Sequence, residues 1–178
     1  SQSLGVTADA LRETLDHYLI DFQRGILSER KMWQSVTKSL NVDTPKGSLW
    51  GEAFRNVYSP KEEIFSLARK LRNDGYKVGF LSNTEQPMMT FFFEQNYDMF
   101  HSKVFSCAEG FIKPEGRIYE IAIDRLDSEA AKTVFIDDKT SYVNGAEALG
   151  IKGILFHDPE QVRRELIKLG IDLTSPNP

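Results

Sequence analysis

The sequence predicts an α/β protein with a parallel sheet, preceded by a small helical region. Three observations support this prediction. From Ser59 onward, short apolar segments alternate with amphipathic segments of helical period, whereas residues 1–58 show helical period without a convincing strand. Polar and charged residues directly follow the apolar segments. Such alternation is typical of parallel sheets covered by helices, whose ligands bind beyond the carboxyl ends of the strands.

Residues 1–58 are predicted to form three helices. Thr7 has the side chain of an N-cap, Gly25 ends the first apolar pattern, Ser28 begins the second, and the third follows a turn at 45–47. Their apolar positions are Leu11, Leu15, Tyr18 and Phe22; Trp33, Val36 and Leu40; and Leu49, Trp50, Phe54 and Val57. We expect the first two helices to pack as a hairpin.

Residues 59–178 are predicted to form the α/β part. Ser59 is expected to cap its first helix, with Pro60 at the first helical position and Glu62 completing a capping box. The segments that follow are predicted as a strand at 78–81, a helix after 85, a strand at 103–107, a helix at 114–126, a strand at 133–137, a helix through 143–149, a strand at 153–156, and a helix capped by Asp158.

Composition limits the functional classes. The chain has 178 residues, of which 40% are hydrophobic, enough for one buried core. The net charge of -4, with both signs interspersed, offers no basic stripe for nucleic acid. The longest apolar run, at 88–93, is too short to span a bilayer, and the single Cys107 excludes an internal disulfide. We expect a cytoplasmic protein without nucleic-acid or membrane partners.

Polar groups with coherent chemistry follow the predicted strands. Ser82 and Asn83 follow one strand, Asp137 and Asp138 end another, and Lys113 lies between them in the sequence, before a helix. Because the carboxyl ends of parallel strands share one edge of a sheet, these groups could meet in one crevice. Phosphoryl transfer requires charge neutralisation and positioning, and Mg²⁺ prefers carboxylate oxygens. The set therefore suits a magnesium-dependent phosphoryl site.

Each group also has a purely structural interpretation. Ser82 and Asn83 could form a hydrogen-bonded turn, and Lys113 could be a solvated charge at a helix entry. Adjacent carboxylates repel and resist desolvation, so Asp137 and Asp138 require a cation, a helix N-terminus or exposure in a turn. Cys107 is expected to be a small buried hydrophobe rather than a nucleophile, because no histidine is placed near it in the pattern.

Three segments resemble motifs of the haloacid dehalogenase superfamily of hydrolases. "FLSNT", "IKPEGRIYEIAI" and "VFIDDKTSYVNGAEALGIKGILF" are similar to its second, third and fourth motifs, in the right order. The opening helices resemble the small cap of its phosphatase and dehalogenase-like members. The resemblance implies a Rossmann-type, three-layer parallel sheet with a helical cap at 1–58 and a core at 59–178.

The resemblance also implies roles for individual residues. Ser82 corresponds to the hydroxyl residue that holds a phosphoryl oxygen, with Asn83 beside it, and Lys113 to the lysine that stabilises the nucleophile and the transferred group. Asp137 and Asp138 correspond to the acidic pair that holds Mg²⁺. The reaction of this family begins with an aspartate that attacks phosphorus and forms an aspartyl phosphate.

The chain departs from the family pattern at two places. The first motif, a strand that ends in the nucleophilic aspartate, would precede residue 1, so we expect the chain to be part of a longer enzyme. Asn or Asp often stands where this chain has Tyr142. The expected function is a magnesium-dependent phosphatase of a small phosphorylated metabolite. The alternatives are a catalytically inactive binding or scaffolding protein and a carbon–halide hydrolase, although halide displacement does not require the cation that Asp137 and Asp138 suit.

Overall fold

A computed structural model describes residues 4–173, and its first segment is helical as predicted. The helices are α1 (Ala8–Gln23), α2 (Glu29–Leu40) and α3 (Leu49–Val57). The side chains of Thr7, Ser28 and Ser48 each accept a hydrogen bond from the backbone N–H three residues further on. These caps satisfy donors that have no partner inside the helix, which explains where each helix begins.

The first three helices share one apolar cluster. Its buried members are Phe22, Met32, Trp33 and Val36, with the predicted apolar positions of α1 and α2 packed around them. The ring of Phe22 meets that of Trp50 edge to face, with 5.5 Å between ring centroids. The helical period of α1 and α2 therefore marks packed apolar faces, and α1 packs against α2 as predicted. Val57, which the pattern placed on the apolar side of α3, is instead 78% exposed.

Strands and helices alternate through the rest of the chain, as predicted. Their bounds are α4 (Glu62–Asn73), β1 (Gly79–Ser82), α5 (Gln86–Glu94), β2 (Ser102–Phe105), α6 (Ser106–Glu109), α7 (Gly116–Leu126), β3 (Val134–Asp137), α8 (Thr140–Glu147), β4 (Lys152–Leu155) and α9 (Pro159–Lys168). The predicted cap of α9 is confirmed, because Asp158 Oδ1 accepts a hydrogen bond from the N–H of Gln161 at 2.7 Å.

The structure corrects two of the predicted segments. The capping box at Ser59 does not form: α4 begins at Glu62, with Lys61 at its N-cap and no side-chain cap. The N–H of Glu62 donates instead to the carbonyl of Pro60, so the preceding residues form a turn. The predicted strand at 103–107 ends at Phe105, because residues 106–109 turn into the short helix α6.

The four strands form two pairs within residues 4–173. β1 pairs with β2, and β3 pairs in parallel with β4. In the second pair Val134 lies opposite Lys152, and Asp137 lies opposite Leu155. Two apolar clusters support these strands: one centres on Val104, Ile118, Tyr119, Ala146 and Ile151, and the other on Leu67, Ile154, Val162 and Leu166.

The described residues divide into two compact units. The first unit contains the residues up to Ser59 together with Ser82–Tyr97 and Phe105–Ile112. The second unit contains Pro60–Leu81, Asp98–Val104 and the segment from Lys113 onward. The predicted cap at 1–58 and core at 59–178 remain a prediction as functional domains. Among residues 4–173, no helix has both the length and the apolar character that crossing a membrane requires.

Candidate active site

Lys113 and Asp137 form a nearly buried ion pair in the second unit. Lys113 Nζ lies 2.6 Å from Asp137 Oδ2, and their side chains are 7% and 10% exposed. Such a pair is costly to desolvate, and removing one partner leaves an uncompensated charge inside the protein. Of the two adjacent carboxylates, Asp137 therefore has its negative charge compensated by the ammonium of Lys113.

Secondary structure explains how the pair comes together. Asp137 is the last residue of β3, and Lys113 precedes Pro114 on the approach to α7. The ammonium of Lys113 also donates to the carbonyl of Leu81 in β1, at 3.3 Å. Lys113 therefore contacts two strands that belong to different strand pairs, close to the carboxyl end of each.

Asp138 lies in a different environment from its neighbour. Its side chain is exposed, whereas Asp137 is partly buried and accepts a second hydrogen bond, through Oδ1, from the N–H of Lys139 at 3.0 Å. Helix α8 begins after Lys139 and has no side-chain cap. The interpretation of Asp137 and Asp138 as a helix cap is therefore not what the structure shows: one carboxylate is paired with Lys113, and the other faces solvent.

Ser82 and Asn83 belong to the first unit. Ser82 is the last residue of β1, and both side chains are partly buried. The next residue, Thr84, is fixed by the buried hydroxyl of Ser106, which accepts from the N–H of Thr84 at 2.8 Å and donates to its carbonyl at 3.2 Å. The structure thus brings Lys113 and Asp137 into contact, while the catalytic and phosphate-binding roles of Ser82 and Asn83 remain predictions.

Aromatic rings lie close to the Lys113 ammonium, and the sequence did not indicate them as part of the site. The ammonium lies 4.9 Å from the ring centroid of Tyr142 and 5.5 Å from that of Phe135. Tyr119 donates a hydrogen bond from its hydroxyl to the carbonyl of Tyr142 at 2.7 Å. Burial, followed by the negative charge of Asp137, raises the pKa of Tyr119, so its hydroxyl stays protonated as this bond requires. The only sequence signal was that Tyr142 departs from the family pattern.

The sequence also did not indicate Glu85 as a buried carboxylate of the first unit. Glu85 is 5% exposed and accepts hydrogen bonds from Gln23 Nε2 at 3.1 Å and from Trp50 Nε1 at 3.2 Å. The sequence placed Glu85 only at the start of a helix, which α5 confirms. Its side chain ties the start of α5 to α1 and α3. Contacts of such long sequence separation cannot be found from local pattern.

Cys107 has the environment of a structural thiol. It is partly buried and lies 3.9 Å from the sulfur of Met89. Burial, together with the negative charges of Glu85 and Glu109, raises the pKa of Cys107 to about 11. Because the thiolate is the nucleophile, this environment supports the expectation that Cys107 is not catalytic.

We expect Cys107 to react slowly with iodoacetamide at pH 8. A pKa of about 11 instead of 9.0 leaves about a hundredfold less thiolate than an unperturbed thiol has below pH 9. The labelling rate of the folded chain, followed by mass spectrometry, should increase as the pH rises towards 11. The same chain in denaturant is the control. Equal rates in the folded and unfolded states would contradict the prediction.

The raised pKa of Cys107 also has a consequence for stability. A group whose pKa is raised on folding contributes its full stability below the unfolded value, and this contribution is lost as the pH rises towards the folded value. The window for Cys107 is therefore about pH 9 to 11. Replacing it by serine should remove that part of the pH dependence.

The donor chemistry of Asp137 and Asp138 fits a hard cation. Both supply carboxylate oxygens, and an exposed Asp138 is accessible to a hydrated ion. Within residues 4–173, no three or more histidine, cysteine, aspartate or glutamate side chains converge in a cluster that could hold a metal ion. Mg²⁺ does not need such a cluster, because it is commonly held by one or two carboxylates together with water and substrate phosphate.

A curated relative and two solved structures show similarity to this chain. A sesquiterpene phosphatase of Aspergillus oryzae is 33% identical over 153 residues, covering 83% of this chain and 76% of the relative. A predicted HAD-like family hydrolase from Porphyromonas gingivalis has a TM-score of 0.78 at 23% identity and covers 96% of this chain and 87% of its own. A HAD family enzyme from Bacteroides thetaiotaomicron, solved as an aspartate-to-alanine mutant with magnesium and inorganic phosphate, has a TM-score of 0.69 at 17% identity and covers 86% and 88%.

A protein-family model identifies the family of this chain. The model of haloacid dehalogenase-like hydrolases matches residues 9–150, which include the ion pair of Lys113 with Asp137. The structural neighbours confirm the α/β fold with parallel strands that the sequence predicted. The chain belongs to the haloacid dehalogenase-like hydrolases.

Proposed function

We propose that this chain is part of a magnesium-dependent phosphatase that acts on a small phosphorylated metabolite through an aspartyl phosphate. The observation that carries the proposal is the position of the Lys113 ammonium, which contacts Asp137 at 2.6 Å and the carbonyl of Leu81 at 3.3 Å. A fixed positive charge near the ends of two strands suits the transfer of a phosphoryl group, whose charge must be neutralised. The phosphatase name of the Aspergillus relative supports the same class.

The proposed roles follow from the chemistry of each side chain. Lys113 would hold the attacking carboxylate and a phosphoryl oxygen by charge-assisted hydrogen bonds, while Ser82 would donate its hydroxyl to another phosphoryl oxygen and Asn83 its amide. Asp137 and Asp138 would hold the cation, which when bound would offset the negative charge of the phosphoryl group. The two complexes of the Bacteroides enzyme that are named with magnesium and phosphate support this choice of cation.

The nucleophile is proposed to be an aspartate on a strand that precedes residue 1 in a longer protein. Its carboxylate oxygen would bond to phosphorus as the ester P–O bond breaks and the leaving alcohol takes up a proton. Water would then hydrolyse the acyl phosphate and release inorganic phosphate. By resemblance to the sheet of the family, that strand would lie between β1 and β3, which are not paired with each other among the described residues.

The test of the proposed function is magnesium-dependent release of phosphate from an aryl phosphate by the full-length protein. Replacing Asp138 by asparagine should raise the magnesium concentration for half-maximal turnover by at least about tenfold, because a carboxylate ligand is lost. The matched control is Asp127→Asn, since Asp127 is almost fully exposed and forms its ion pair with Lys77 at the surface.

Three results would each decide a different point. No turnover with or without magnesium would favour the inactive binding protein over the phosphatase. Release of halide from a 2-haloacid without magnesium would favour the dehalogenase. Turnover with the same magnesium dependence in Asp138→Asn and in the unmodified protein would remove Asp138 from the metal site.

A further inference from the structure

The ammonium of Lys113 is held by two kinds of contact. It donates hydrogen bonds to Asp137 Oδ2 and to the carbonyl of Leu81, at 2.6 and 3.3 Å. The rings of Phe135 and Tyr142 are also close to the same nitrogen, with centroids 5.5 and 4.9 Å away. The faces of aromatic rings attract cations, and the attraction is strongest where water is excluded. Lys113 is 6% exposed, so these conditions are met.

Tyr142 is itself held in place by its neighbours. Tyr119 is 1% exposed, and its hydroxyl donates to the carbonyl of Tyr142 at 2.7 Å. Tyr119 also packs edge to face on Phe135, with 5.3 Å between ring centroids. One turn further along α8, a Cβ on Gly145 would lie 2.9 Å from the carbonyl of Pro114. The absence of that Cβ lets α8 lie directly against the segment that carries Lys113.

A second lysine approaches the same ring. Lys139 Nζ lies 4.9 Å from the centroid of Tyr142 and 3.5 Å from its hydroxyl oxygen. The backbone N–H of Lys139 also donates to Asp137 Oδ1. The ring of Tyr142 therefore contacts the ammonium groups of Lys113 and Lys139. Lys113 bonds to Asp137 through its ammonium, and Lys139 through its backbone N–H. A ring attracts these cations without a formal charge, so their positive charge remains available to an anionic ligand.

We infer that Tyr142 is a positioning residue of the proposed phosphatase site. The face of its ring holds the ammonium of Lys113 against Asp137 and Leu81, and its role depends on the aromatic ring rather than on the hydroxyl. This inference rests on the proposed function for its effect on turnover, but the position of Lys113 can be measured without magnesium or substrate.

The experiment compares Tyr142→Phe, which keeps the ring, with Tyr142→Leu, which removes it. NMR of the full-length protein without magnesium or substrate should show the ε-CH₂ protons of Lys113 shifted upfield by the rings in the unmodified protein and in Tyr142→Phe, with most of that shift lost in Tyr142→Leu. In the full-length protein, kcat for an aryl phosphate should fall about tenfold in Tyr142→Leu and less than about twofold in Tyr142→Phe.

Two further proteins keep the test decisive. Pentafluorophenylalanine at position 142 retains a ring of similar size but reverses its charge distribution, so it should lower kcat as leucine does even if Tyr142→Leu folds poorly. Phe156→Leu is the matched control, because the Phe156 ring lies 4.4 Å from the Lys61 ammonium, a cation–aromatic contact in the same unit. Its kcat should not change.

Each outcome has one meaning. Equal decreases of kcat in Tyr142→Phe and Tyr142→Leu would overturn the positioning role of the ring. An unchanged chemical shift of the Lys113 ε-CH₂ protons in Tyr142→Leu would overturn it as well. An unmodified full-length protein that shows the upfield signal but no turnover would overturn the proposed function and leave the position of Lys113 explained by Tyr142.

Discussion

Replacing Lys113 by alanine in the full-length protein is expected to lower kcat for aryl phosphate hydrolysis by about a thousandfold. The loss of a fixed charge that stabilises the developing negative charge typically has an effect of this size. Initial rates of phosphate release at saturating magnesium measure it. Lys132→Ala is the control, because that lysine is 71% exposed and pairs with Glu129 at the surface. Turnover within about tenfold of the unmodified protein would contradict a catalytic role for Lys113.

The same substitution should also destabilise the fold. Without Lys113, the carboxylate of Asp137 stays nearly buried and unpaired, which costs about 3 kcal/mol in the free energy of unfolding. Urea unfolding followed by far-UV circular dichroism measures this cost.

A double variant separates stability from catalysis. Lys113→Met with Asp137→Asn removes both charges, and we expect most of the stability to return while turnover stays lost. If turnover returned with stability, Lys113 would have only a structural role.

Replacing Gly25 by alanine is expected to destabilise the first unit by about 3 kcal/mol. Gly25 has a φ of +71°, and an added Cβ would lie 2.1 Å from the carbonyl oxygen of Cys107. The left-handed backbone costs an L-residue about 1 to 2 kcal/mol, and forced overpacking adds about 1 to 3 kcal/mol. Both tryptophans, Trp33 and Trp50, lie in this unit, so tryptophan fluorescence during urea unfolding reports on it directly.

The control for this prediction is Gly110→Ala. Gly110 belongs to the same unit and has a φ of +79°, but an added Cβ would meet no atom within 4 Å. Its substitution should lower the free energy of unfolding only by the cost of the left-handed backbone, about 1 kcal/mol. The difference between the two variants measures the steric conflict with Cys107. Equal destabilisation would show that this conflict is relieved by movement of the chain.

Local sequence determined the order and type of the main elements. Helical period and the caps at Thr7, Ser28 and Asp158 located α1, α2 and α9, because these signals act within one turn of helix. The same logic failed at Ser59. Its capping box was complete in sequence, yet the backbone hydrogen bond from Glu62 to Pro60 formed a turn instead.

The candidate site was predictable in its charged members and not in their surroundings. Lys113 and Asp137 could be recognised as candidates because the type of each residue and its place beside a predicted strand or helix are visible in the sequence. Tyr119, Phe135 and Tyr142 gave no comparable signal, since aromatic residues on helices and strands occur mostly in cores. Only the packing of α7 and α8 on β3 shows that Phe135 and Tyr142 lie against one ammonium, with Tyr119 supporting both.

The sequence by itself determined that this protein alternates strands and helices, and that a lysine and two aspartates would lie near strand ends. Hydrophobic period and residue type are local properties, and they are readable without a fold. The tertiary structure decided which aspartate is paired: Asp137 lies against Lys113, while Asp138 faces solvent. Neighbours in sequence acquired different environments because Asp137 is the last residue of β3, whereas Asp138 lies beyond the strand.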